Sequence, residues 1–118
     1  MEKMIPFIRV MEDGDIEKLD GMVDAFLLEE NPDEQYGLAD LLTEYGFIQE
    51  AIKTLEHLNF LFPEEDQLKI DLAQLFLELN KEDDALEMLS NIEKNSESYP
   101  QALLTLADYY QMIGLYEV

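Results

Sequence analysis

The sequence predicts an all-α protein, an α-solenoid of antiparallel helix hairpins with about seven helices. Three observations predict it. A Leu-Ala pair recurs at Leu38-Ala39, Leu72-Ala73 and Leu106-Ala107, each step being 34 residues. Within each copy the apolar residues follow helical spacing, as in Leu38, Ala39 and Leu42 at i, i+1 and i+4. Residues that break helices recur at the same stride, with Gly46, Asn80 and Gly114 in one column. A constant period of this size marks repeat architectures, in which each copy buries its apolar face only by stacking on neighbours.

Each segment fits that reading in turn. Residues 1–31 hold two expected helices, about Lys3–Glu12 and Asp15–Glu30, joined at "EDGD", with Pro6 suited to a first helical turn. Aligning Leu19 with Ala51 puts Phe7 under Ala39 and leaves the next join about two residues short, so this hairpin reads as a degenerate N-terminal cap. Residues 32–65 form a complete copy. Its first helix carries Leu38, Ala39 and Leu42, Gly46 is the expected left-handed stop, and Ala51, Leu55 and Leu58 make the second stripe. Residues 66–99 repeat the pattern with Leu72, Ala73, Phe76, Asn80, Ala85, Leu89 and Ile92. Residues 100–118 supply Leu106, Ala107 and Tyr110, an expected turn at Gly114 and a new element from Leu115, as if a longer array were cut inside its third clear copy. The alanines stand where two helices cross closely, because a larger side chain would hold the axes apart.

These columns resemble the tetratricopeptide repeat (TPR) family, of the bacterial, Gram-positive type with many units. Its small residues match Ala39 and Ala51, Ala73 and Ala85, and Ala107, and its proline near the unit's end matches Pro63. The chain departs from the family where an aromatic is frequent early in the first helix, having Gln35, Lys69 and Leu103, and where a small residue is usual late in the second, having Leu58 and Ile92. The resemblance implies a non-catalytic scaffold for protein–protein interaction.

Composition limits the alternatives. Twenty-eight acidic residues face seven basic ones, for a formal net charge of −21, and the acids are spread along the chain without a block of five like charges. Such a field repels phosphate backbones and anionic membrane surfaces, so nucleic acid and membrane partners are not expected. No cysteine is present and no apolar run reaches the length of a membrane span, which fits a cytoplasmic protein. "DGDIEKLDGMVD" places Asp13, Asp15, Glu17 and Asp24 as a calcium loop would, but Lys18 stands where the sharp turn needs glycine. It reads as a helix–turn–helix join, and no metal is expected. His57 is the single histidine and is expected on an outer helix, and Ser90, Ser96 and Ser98 fall where capping explains them. Without a nucleophile–base pair, a ligand cluster or a glycine-rich phosphate loop, neither catalysis nor a cofactor is expected.

The resemblance implies a partner-binding concave groove. Carried over copy by copy, it would be lined by Tyr36, Asp40, Thr43 and Glu44, then Ile70, Gln74, Leu77 and Glu78, then Leu104, Asp108, Gln111 and Met112. An acidic, partly apolar groove suits a basic or amphipathic peptide. Equally, Tyr36, Ile70 and Leu104 could pack between helices while the acids reflect composition. Tyr36 and Asp40 stand where clamps for acidic chaperone tails use Lys, Arg or Asn, so that ligand class is not expected. Nor is any groove position an asparagine, the residue through which Gram-positive regulators of this family often bind signalling peptides. A second reading is association of two copies through an apolar C-terminal end formed by Tyr109, Met112, Leu115 and Tyr116.

Overall fold

The computed structural model describes residues 2–29 and 31–117. Among these, every regular element is helical. A short 3-10 helix, Glu2–Met4, leads into α1 (Ile5–Asp13), α2 (Ile16–Glu29), α3 (Pro32–Glu44), α4 (Ile48–Leu61), α5 (Asp66–Glu78), α6 (Glu82–Ser90) and α7 (Tyr99–Glu117). The fold class is all-α. The chain forms two compact units, Met1–Leu58 and Asn59–Val118.

In the N-terminal unit, α1 and α2 pack together. Their ring contact is Phe7 against Phe26, edge to face, with centroids 5.3 Å apart. Such a pair adds about 1 kcal/mol to the area it buries. Gly14 ends α1 at φ 73, its amide donating to the carbonyls of Val10 and Met11, and Asp15 then caps α2 by accepting from the Lys18 amide at 3.2 Å. The "EDGD" stretch is thus a join between helices, with its last acid, Asp15, occupied by capping. Asn31 caps α3 in the same manner, accepting from the Glu34 amide at 2.9 Å, with Pro32 in the first turn. Leu38, Ala39 and Leu42 of α3 are buried, as are Ala51, Leu55 and Leu58 of α4. Lys53 of α4 pairs with Asp24 at 2.9 Å and Asp20 at 3.6 Å, tying α4 to α2.

In the C-terminal unit, α5 packs on α6 and also on α7. Leu72, Ala73 and Phe76 of α5 are buried together with Ala85 and Leu89 of α6. The turn between α5 and α6 reproduces the one between α3 and α4. Gly46 lies at φ 84, its amide reaching the Thr43 carbonyl and the Phe47 amide the Leu42 carbonyl at 2.9 Å. Asn80 lies at φ 60, its amide reaching Leu77 and the Lys81 amide reaching Phe76 at 2.8 Å. Both are Schellman caps, and each settles carbonyls that the helix end would leave unpaired.

Two places where the sequence leaves the family pattern prove structural. Gln35 is 2% exposed and its Nε2 donates to the Leu27 carbonyl at 3.1 Å. Lys69 is 7% exposed; its Nζ donates to the Pro63 carbonyl and lies 3.5 Å from Asp66. In each case a buried nitrogen anchors the chain that enters the helix, a task an aromatic ring could perform only by contact. Asp66 in turn accepts from the Ser96 hydroxyl at 2.5 Å, so the first turn of α5 and the loop before α7 meet through one carboxylate.

One expectation is corrected. Helix α7 does not stop at Gly114: it runs to Glu117, and Gly114 takes no left-handed conformation. Glycine permits the left-handed state without enforcing it. At Gly46 and Asn80 the cap is held by a helix that returns after it, whereas at Gly114 the same helix continues. Ala107 is exposed, whereas Ala39 and Ala73 are 1% and 0% exposed.

Candidate functional site

The residues expected to line a groove fall into distinct environments. In the N-terminal unit Asp40 and Glu44 are exposed, while Tyr36 and Thr43 are half-buried. The Thr43 hydroxyl donates to the Ala39 carbonyl at 2.8 Å and is thereby committed to its own helix. In the C-terminal unit Ile70 is fully buried, so it belongs to the core and offers nothing to a partner. Leu104 and Gln111 are exposed on α7.

Five of the expected residues come together. Gln74, Leu77 and Glu78 of α5 and Asp108 and Met112 of α7 line one cavity of about 260 Å³, with Gln101, Thr105 and Tyr109 completing its wall. These last three were not expected there, although Gln101, Thr105 and Tyr109 lie at i, i+4 and i+8 and join Asp108 and Met112 in a single helical stripe. Carrying the same face from copy to copy misses them. A cavity between two helices is walled by the flanks that face each other, and those are different flanks of the two helices. Thr105 is 7% exposed, its hydroxyl donating to the Gln101 carbonyl at 2.9 Å. No Lys, Arg or His side chain lines the cavity. The other two expected residues of α7, Leu104 and Gln111, are not part of its lining.

A second cavity, about 560 Å³, lies on the other flank of α7. Leu86 and Leu89 of α6, Ile92 of the following loop, and Ala102, Leu103 and Leu106 of α7 give it a mostly apolar wall. Leu103, part of that wall, is 50% exposed, and Leu104, elsewhere on α7, is 53% exposed. Of the residues expected to form an apolar C-terminal end, Tyr109 and Met112 belong to the first cavity, and the side chains of Leu115 and Tyr116 lie outside the described residues. Further along α7, the Tyr110 hydroxyl donates to Glu82 of α6 at 3.0 Å. That hydrogen bond to a carboxylate is the main cause holding the Tyr110 phenol above its ordinary pKa. Among the described residues no group of three or more acidic or histidine side chains is placed to hold a metal ion, and no helix is long and apolar enough to cross a membrane. His57 is half-buried.

Comparison with known proteins places this helical arrangement. The family described as "Tetratricopeptide repeat protein 21 ARM repeat" matches residues 28–112. The chain belongs to the tetratricopeptide repeat family. It is 33% identical over 111 residues to the TPR repeat-containing protein YpiA of Bacillus subtilis (strain 168), an alignment covering 94% of this chain and 26% of that relative. The chain therefore spans about a quarter of the length of the relative it matches. Membership of this family suggests a protein–protein interaction scaffold.

Proposed function

We propose that this chain is a non-catalytic, cytoplasmic interaction module that binds a basic or amphipathic peptide segment of a protein partner on the first-helix face of its repeats. Residues 1–31 serve as a degenerate capping hairpin, 32–65 and 66–99 as complete repeats, and 100–118 as the opening of another. The observation that carries the reading is the cavity between α5 and α7, where Glu78 and Asp108 stand beside Leu77 and Met112 with no cation in the wall. Concave surfaces that mix apolar area with a few charges of one sign select ligands of the opposite sign. Asp40 and Glu44 on α3, both exposed, extend the set of candidate contacts. The test is affinity capture from bacterial extract with the chain and with a variant carrying Asp40, Glu44, Glu78 and Asp108 all changed to Lys. Partners retained by the parent and lost by the variant are expected; identical captures from both would remove the acidic face from the reading.

A second reading is association between copies, favoured by the apolar cavity on the other flank of α7 and by exposed Leu103 and Leu104. Exposed apolar area of this kind on a repeat end is the surface through which copies would stack.

A further inference from the structure

We propose that the cavity between α5 and α7 is an arginine-side-chain pocket, which receives one guanidinium group from a protein partner between Glu78 and Asp108. This deepens the reading of the chain as a peptide-binding module and rests on it. Size is the first argument. At about 260 Å³ the cavity falls below the ~300–1,000 Å³ typical of sites that enclose a whole small molecule, so it suits a single long side chain.

Chemistry is the second. Leu77 and Met112 offer apolar surface to a hydrocarbon stem, while Tyr109, half-buried, supplies an aromatic ring. Gln74 and Gln101 add amide oxygens able to accept, and Glu78 and Asp108 add the charge from two different helices. Among the described residues neither carboxylate is engaged in an ion pair. Every group that could satisfy a cation is present and no cation of the chain's own fills the place. The protein's charge of −21 adds a field that draws such a group in.

The choice of arginine over lysine follows from geometry of the donors. A guanidinium presents five N–H groups in a planar fork, so it can bridge acceptors on opposite walls and still stack on a ring. An ammonium is a compact, strongly hydrated point charge whose three donors diverge from a single nitrogen, so it has no planar fork to span the two walls or to stack on an aromatic ring.

The experiment titrates the isotopically labelled chain with four short capped peptides of identical sequence whose central residue is Arg, Lys, citrulline or Ala, and follows amide shifts by NMR. The Arg peptide is expected to saturate shifts at residues of α5 and α7. Citrulline, which keeps the shape and loses the charge, should bind at least tenfold more weakly, as should the Arg peptide with E78Q or D108N. Circular dichroism on both variants establishes that they fold. Equal binding of Arg and citrulline peptides, shifts centred elsewhere, or no saturable binding would overturn the proposal. Lys binding as tightly as Arg would overturn the guanidinium assignment. The broader reading is judged separately: if partners are still lost on fourfold charge reversal while the Arg and citrulline peptides bind alike, the module binds its partner without this pocket.

Discussion

Lys69 shows how much one residue can carry. Its ammonium group is buried, donates to the Pro63 carbonyl and faces Asp66, which also accepts from Ser96. Burying a charge costs several kcal/mol unless partners repay it, and here a carbonyl and a carboxylate do so. Truncation by Lys69→Ala removes a charged hydrogen bond and the packing of the stem, and should lower stability by about 2 kcal/mol. Lys69→Met keeps most of the stem and should cost roughly half as much. The urea midpoints of the two variants check this; a Met variant more stable than the parent would mean that the buried ammonium is not repaid. Gln35 performs the corresponding task in the preceding copy through Leu27. From sequence alone both residues are departures from a family preference. Their role depends on where the carbonyls of Leu27 and Pro63 lie, and no spacing rule supplies that.

At the scale of the helix, two glycines in the same column of the repeat make opposite predictions. Gly46 sits at φ 84 with open space where a side chain would project, so the penalty for Gly46→Ala is conformational alone, about 1 kcal/mol of lost stability. Gly114 also has open space around it but lies inside α7 with ordinary helical backbone. There Ala should stabilise by ~0.5–1 kcal/mol, because a helical glycine gives up more backbone freedom than alanine. Thermal unfolding of both single variants reads the two signs; destabilisation by Gly114→Ala would place a left-handed turn at that residue after all. The column Gly46, Asn80 and Gly114 was legible in the sequence as a set of helix stops. Two of the three act as stops. The third differs because a cap is a property of two helices, the one that ends and the one that returns.

For the whole molecule the dominant quantity is charge. A formal −21 spread over 118 residues makes two copies repel at long range. The apolar flank of α7, with Leu103, Leu106 and Ile92 around a cavity of about 560 Å³, acts in the opposite sense at short range. Salt decides between them, since the screening length falls from ~30 Å at 0.01 M to ~8 Å at 0.15 M. If copies associate through this flank, light scattering should give the monomer mass at low salt and a mass that rises with protein concentration at ~0.15 M. A monomer mass at both ionic strengths would leave only the peptide-binding reading. Capture of a basic partner should respond to salt in the reverse direction, because screening weakens attraction between unlike charges.

The sequence by itself determined the helical class, the period and the residues that let helices approach. Ala39, Ala51, Ala73 and Ala85 are all buried, and the caps at Gly46 and Asn80 close with the same pair of hydrogen bonds. These are local or strictly periodic properties, set by spacing and by the conformational range of single residues. The tertiary structure alone decided which flanks face one another. It withdrew Ile70 into the core, brought Gln101, Thr105 and Tyr109 to the wall beside Glu78 and Asp108, and made buried anchors of Gln35 and Lys69. A repeat period fixes the position of a residue along its helix. How far that helix is rotated against its neighbour depends on every side chain between the two, and so do the cavity and whatever enters it.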